Sequence, residues 1–179
     1  MEQQFLIAGF GGQGVLLIGQ LIAKTAMFEG SEVSWMPSYG PEMRGGEANC
    51  AVVISDEAIG SPVVTDPPCL VAMNKSSLLK FMPRMEKGGV LLYNQSLISD
   101  ITPREDLRVI GVPCIEIAEK VGNSRVSNMV MLGAVVGATK AISLEALTKT
   151  LTEWLGEKKA HLLTPNLQAI AEGMALVDA

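Results

Sequence analysis

The run Phe5-Leu6-Ile7-Ala8, followed by Gly9-Phe10-Gly11-Gly12-Gln13-Gly14, leaves the start of this chain little structural choice. A short continuous apolar run is the pattern of a strand covered on both faces in a parallel sheet. Behind the glycines, Val15, Ile18, Ile22 and Ala26 recur at helical spacing, and Gly30 stands just past the expected helix end. Strand, glycine turn and helix in that order form the entry unit of an α/β domain.

The rest of the chain extends that pattern. Val33-Ser34-Trp35-Met36 reads as a second strand, and Pro37 to Gly46 as a loop too rich in Pro and Gly for regular structure. Ala48 to Ile54, closed by Asp56-Glu57, reads as a third strand, antiparallel or at an edge. Cys69 to Met73 reads as a buried strand with a helix capped near Asn74. Val90–Tyr93 and Leu107–Val112 read as two more strands, separated by a polar, partly helical segment. Arg125 to Lys140 is apolar nearly all round and demands a buried helix, with Gly133, Ala134, Gly137 and Ala138 as a small-residue face. Ser143 caps a helix running to Leu155, and Thr164-Pro165 reads as the start of the last one. The expectation is one domain over residues 1–179: an open, mainly parallel, Rossmann-like sheet with helices on both faces, Phe5–Ala8 central, and a helical C-terminal third.

Composition excludes several functions. A formal charge of -5, with 14 Lys and Arg spread along the chain, gives no basic stripe for a nucleic acid. The longest apolar run, Met129 to Ala138, falls short of the ~20 residues that cross a bilayer. The N-terminus shows neither a basic segment nor a signal-cleavage pattern, so a cytoplasmic location is expected. Cys50, Cys69 and Cys114 stand apart without a CxxC pair and read as reduced core residues rather than a converging metal site. His161 has no carboxylate or second His nearby in sequence and reads as solvent-facing or structural.

Gly9-x-Gly11-x-x-Gly14 between strand and helix matches the dinucleotide fingerprint in spacing and context. N–H groups at a helix start suit an anion such as phosphate. NAD or FAD would further require an acid at the end of the second strand, which closes instead in Trp35-Met36-Pro37; Glu32 precedes that strand and Glu42 lies in the following loop. A ligand-free tight turn remains the structural alternative. In Ser38-Tyr39-Gly40-Pro41-Glu42-Met43-Arg44-Gly45-Gly46, Arg44 either offers its guanidinium to a phosphate or carboxylate, or braces the loop against Glu42.

These segments, with Asn128-Met129-x-x-Leu132-Gly133, resemble in content and order the γ subunits of 2-oxoacid:ferredoxin oxidoreductases, over nearly the whole chain. The Ser38–Gly46 segment is the most specific of the three. The resemblance implies an accessory subunit of an enzyme that oxidatively decarboxylates a 2-oxoacid to an acyl-CoA and passes electrons to ferredoxin. Thiamine diphosphate, Mg2+ and iron–sulfur clusters would belong to partner subunits, and this chain has neither a GDG motif with its paired Asn nor a cluster-type cysteine set. It further implies a share in the coenzyme A site, with Gly9, Gly11, Gly12, Gln13, Gly14, Ser38, Tyr39, Arg44, Gly45 and Gly46 as candidate binding residues and no catalytic or metal-binding residue. The loop looks more like the 2-oxoglutarate or branched-chain type than the pyruvate type. A subunit of this kind would, when isolated, either show a sizeable apolar patch or self-associate, for example as a homodimer. A free-standing NAD(P)-dependent oxidoreductase and a ligand-free assembly module stand as the competing readings.

Overall fold

The computed structural model describes residues 1–40, 45–102 and 104–178. In chain order it contains β1 (Glu2–Phe10), α1 (Val15–Phe28), β2 (Glu32–Tyr39), β3 (Glu47–Ser55), β4 (Cys69–Ala72), α2 (Lys75–Phe81), β5 (Val90–Asn94), β6 (Arg108–Val112), α3 (Cys114–Val121), α4 (Ser127–Thr139), α5 (Leu144–Leu155) and α6 (Leu163–Asp178). Among the described residues, 6 strands form one sheet in the order β2-β3-β1-β4-β5-β6. The pairs β1–β4, β4–β5 and β5–β6 are parallel. β3 alone runs against its neighbours, antiparallel to both β1 and β2. The expected mainly parallel sheet is therefore present, and β1 lies inside it. Phe5 and Ile7 enter one core while Leu6 and Ala8 enter the other, as the period of two along a strand requires.

The segment after Met36 differs from the sequence expectation. β2 continues through Pro37, Ser38 and Tyr39, which pair with Cys50, Asn49 and Ala48 of β3. β2 is an edge strand, where a proline is tolerated if its missing N–H would face away from the ladder. β2 and β3 thus form a hairpin that takes in the first residues of the predicted loop, while residues 41–44 of that loop lie outside the described residues. No helix occurs among the described residues between β5 and β6, and α3, which the sequence reading did not anticipate, follows β6 directly.

The two faces of the sheet are covered unequally. α1, α3, α4, α5 and α6 pack their apolar sides on the face that carries Phe5 and Ile7. The other face is covered by Leu78 and Phe81 of α2 with Met85 and Ile98. α4 is buried on all sides from Asn128 to Gly137, as its apolar circumference demands. It lies against α6 so closely that a Cβ on Gly133 would stand 2.0 Å from the Ile170 carbonyl oxygen, and a Cβ on Gly173 2.0 Å from that of Val130. The Asn74 and Ser143 caps form as expected, accepting from the Ser77 and Ala146 amides at 2.8 and 3.1 Å. Thr164 does not cap α6. A 3-10 turn over Glu157–Leu162 runs straight into that helix, which places Thr164 and Pro165 inside its first turn, where a missing N–H costs nothing. No helix among the described residues is long and apolar enough to cross a membrane.

Candidate functional site

β1 sends the chain through α1 toward β2, and β4 sends it through α2 toward β5 on the opposite side. The carboxyl ends of β1 and β4 are thus a topological switch point, where α/β sheets open a crevice for ligands. Here Gln13 spans that crevice. Its Oε1 accepts from the Phe10 amide at 2.7 Å and from Asn74 Nδ2 at 3.2 Å, while its Nε2 donates to the Met73 carbonyl at 3.1 Å. Gly9 is buried beneath this carboxamide, because a Cβ there would stand 2.6 Å from Gln13 Oε1. Both residues, predicted to meet a ligand, build the turn from below.

The open cleft lies on the other side of the turn, toward the hairpin. About 340 Å³ in volume, it is bounded by Phe10, Gly11, Gly12 and Gly14, the apolar start of α1, and Tyr39 and Ala48 of the hairpin. The two sequence motifs are joined here by backbone: the Gly11 amide donates to the Gly46 carbonyl at 2.9 Å, and the Gly45 amide to the Gly11 carbonyl at 3.4 Å. Gln13 donates its own amide to the Phe10 carbonyl at 3.1 Å. Of the four amides from Gly11 to Gly14, those of Gly11 and Gln13 are therefore committed within the protein. Those of Gly12 and Gly14 make no backbone hydrogen bond among the described residues. Gly12 (φ 99°) and Gly14 (φ 76°) both adopt backbone that favours glycine. Gly14 is the N-cap of α1 without a side-chain cap, and the first turn of α1 contains no acid. An anion fits such a helix start.

Tyr39, exposed at the end of β2, lines the cleft where a dinucleotide fold would hold its ribose-binding acid. Glu32 sits at the opposite end of that strand, paired with Ser55. Ser38 is exposed beside Asn49 and is not among the cleft walls. Arg44 and Glu42 lie outside the described residues.

Three asparagines complete the region, although they were not among the candidate binding residues. Asn74 holds Gln13. Asn94, buried at the end of β5, donates its Nδ2 to the Met73 carbonyl at 3.3 Å and leaves Oδ1 without a partner. Asn128, at the start of α4, packs its carboxamide onto Gly14, where a Cβ would stand 2.4 Å from Nδ2. The third motif thus meets the first. A signal was present in the sequence: two buried strands each run out into an asparagine, in Met73-Asn74 and Tyr93-Asn94.

Cys50, Cys69 and Cys114 are free and buried, as expected. Burial, with little to offset it, pushes each thiol up to about 12, so none is a nucleophile at neutral pH. Among the described residues no 3 His, Cys, Asp or Glu side chains gather as a metal site. His161 is exposed.

A model of the family described as pyruvate ferredoxin/flavodoxin oxidoreductase matches residues 4–176. The chain is 48% identical over 135 residues to the ketoisovalerate oxidoreductase subunit VorA of Methanothermobacter marburgensis, which covers 75% of this chain and 28% of that protein. It is 37% identical over 184 residues to the 2-oxoglutarate synthase subunit KorC of the same organism, across 97% of this chain and 99% of that one. The keto/oxoacid ferredoxin oxidoreductase γ subunit of Geobacter sulfurreducens superposes with a TM-score of 0.83 at 29% identity, over 98% of both chains. The 2-oxoglutarate:ferredoxin oxidoreductase of Magnetococcus marinus, solved with 2-oxoglutarate, coenzyme A and succinyl-CoA bound, superposes with a TM-score of 0.89 at 27% identity, over 99% of this chain and 31% of that one. With sequence match and fold agreeing over almost every residue, and with the glycine turn, hairpin and α4 motif meeting in one place, the chain belongs to the pyruvate ferredoxin/flavodoxin oxidoreductase family.

Proposed function

We propose that this chain is the γ-type subunit of a 2-oxoacid:ferredoxin oxidoreductase and that it contributes the surface on which coenzyme A is held. The observation that carries this reading is the backbone bridge between Gly11 and Gly46, which sets the glycine turn and the hairpin on two sides of one cleft. A CoA diphosphate fits the Gly12 and Gly14 amides at the α1 start, and Arg44, adjoining Gly45 in sequence, is the cation assigned to it. The pantetheine arm suits the apolar walls made by Val15, Leu16 and Leu17. Nothing in this arrangement demands an acid for the ribose, which agrees with Tyr39 standing in that place.

The chemistry of decarboxylation belongs in this reading to thiamine diphosphate with Mg2+, and electron transfer to iron–sulfur clusters, all in partner subunits that reduce ferredoxin. The 2-oxoacid is of the 2-oxoglutarate or branched-chain type, to which the relatives KorC and VorA point. The chain works in the cytoplasm and has no activity by itself. Exposed Met27, Phe28 and Trp154 around one depression on α1 and α5 fit a protein that packs against others. Affinity purification of the tagged chain from its native host tests the proposal. A complex containing bound thiamine diphosphate, and reducing a viologen dye only with both a 2-oxoacid and CoA present, is expected. Recovery of the chain alone, or of a complex indifferent to CoA, would overturn it.

A further inference from the structure

We propose that β6 is a dimerisation edge, on which a second copy of this chain lays its own β6 antiparallel, so that the two sheets become one. β2 and β6 are the edges of the sheet. β2 carries Pro37, which removes a donor from its rim. β6, Arg108-Val109-Ile110-Gly111-Val112, has no proline and no lysine, and it pairs residue for residue with β5, without a bulge to twist it away. Val109, Ile110 and Gly111 are half-buried, whereas every residue of the interior strand β4 is buried.

The rim itself selects the occupant. The Arg108 amide donates inward to the Gly89 carbonyl, and the Val112 carbonyl accepts inward from the Gln95 amide, both at 2.9 Å. By the alternation of a strand, Val109 and Gly111 turn their N–H and C=O groups outward, where no backbone partner stands among the described residues. The next outward residue on each side closes this rim. The Leu107 amide is taken by the Arg104 carbonyl at 3.2 Å; Pro113 has no N–H, and its carbonyl accepts from the Ile117 amide at 3.1 Å. The free window is therefore centred on Ile110. A two-fold axis there sets Val109 opposite Gly111 of the second copy, and Gly111 opposite its Val109, as hydrogen-bonded pairs that satisfy every outward group. It also sets Leu107 against Pro113, where no free N–H is lost. The next allowed register in either direction sets Gly111 opposite Leu107 or Val109 opposite Pro113, neither of which has an N–H to give.

Charge and shape agree with that pairing. Arg108 is exposed on the same side of β6 as Ile110 and Val112, the side that carries α3. Among the described residues no carboxylate pairs with it. The two-fold sets Arg108 opposite Val112 of the second copy, just ahead of α3, whose first turn holds the exposed Glu116. Each copy thus offers its cation to the acid of the other. On the opposite side of the strand Tyr93, the direct neighbour of Gly111, lies over it, since a Cβ on the glycine would stand 2.8 Å from Tyr93 Oη. The glycine keeps the rim thin, and the ring holds it in place.

Sedimentation equilibrium of the isolated chain, with hydrogen exchange at the Val109 and Gly111 amides, tests this. A dimer is expected, in which both amides slow as concentration rises. Val109→Pro, which removes an outward N–H and leaves the β5–β6 ladder intact, should weaken the dimer at least about tenfold. Arg108→Glu should weaken it as well, and Arg108→Glu together with Glu116→Arg should restore it, an exchange of charge that the fold of a single copy does not require. Should Val109→Pro not fold, the charge exchange decides alone. A monomer at every concentration, a dimer whose Val109 and Gly111 amides exchange as fast as on dilution, a folded Val109→Pro chain that dimerises undiminished, or a double variant no tighter than Arg108→Glu would each overturn the inference. So would amides protected only in the assembled oxidoreductase, which would give the edge to a strand of another subunit.

Discussion

Gly133 of α4 and Ile170 of α6 approach so closely that a methyl group on the glycine would stand 2.0 Å from the isoleucine carbonyl oxygen. The obstacle is helix backbone, which cannot swing aside as a side chain can. Gly133→Ala should therefore force the helices apart and destabilise the chain by about 3 kcal/mol or more. Gly173→Ala, which meets the Val130 carbonyl at the same distance, should do likewise. Urea midpoints of the isolated chain check this, and a loss under about 1 kcal/mol in both would contradict the packing described.

Gln13 ties the turn after β1 to the turn after β4 through both ends of its carboxamide. Gln13→Ala removes three hydrogen bonds at once, takes the side-chain partner from the Phe10 amide and from Asn74 Nδ2, and leaves the Met73 carbonyl with Asn94 Nδ2. A loss of about 1 to 3 kcal/mol is expected. Hydrogen exchange at the Phe10 amide should accelerate by more than exchange in β5, since the damage is local to the turn.

The sequence made legible those features whose causes are local. The strand–turn–helix at Phe5 to Phe28, the Asn74 and Ser143 caps and the buried α4 each follow from apolar period or capping within a few residues. The β2–β3 hairpin was read short because Pro37 signals a loop unless the strand lies at an edge, and edge position is a property of the whole sheet. α3 was missed because its N-cap is Pro113, which supplies no side-chain hydrogen bond to announce a start. At the site, the three motifs were visible as segments, but the Gly11–Gly46 bridge and the Asn128–Gly14 contact join residues far apart in sequence. The inward role of Gln13 depends on Met73 and Asn74 and could not be read from the turn alone.

Three buried thiols give the fold an alkaline limit. Each is raised from 9.0 to about 12, so below pH 9 both folded and unfolded chains keep them protonated and stability is unaffected. Above that, the unfolded chain releases protons that the native one retains, and stability falls with rising pH by about 1.4 kcal/mol per pH unit for each thiol. Cys69→Ala should make the fall between pH 9 and 11 shallower by about one such step, measured from urea midpoints at each pH against the unsubstituted chain. At pH 8 none of the three should react with a thiol reagent until the chain is unfolded.

Arg44 stands between Pro41 and Gly45 in the segment most specific to the family resemblance. As a phosphate contact it is worth about 1.5 to 3 kcal/mol, so Arg44→Ala in the assembled enzyme should raise the KM for CoA roughly ten- to a hundredfold. The urea midpoint of the isolated subunit should change little. Unfolding or failed assembly with normal CoA dependence in any assembled fraction would make Arg44 a brace of the hairpin.

Gly12 and Gly30 offer the most direct comparison for a CoA site on this subunit. Both have positive φ, at 99° and 89°, and neither has an atom within 4 Å of where a Cβ would stand. Alanine at either position thus carries a similar backbone cost, about 1 to 2 kcal/mol, with no clash inside the protein. Only Gly12 borders the cleft between glycine turn and hairpin; Gly30 follows the far end of α1. With the KM for CoA measured in the assembled oxidoreductase, Gly12→Ala should raise it at least about tenfold and Gly30→Ala should leave it unchanged, though the two lose similar stability. Equal KM values for the two variants and the unsubstituted enzyme would contradict a CoA site on this subunit.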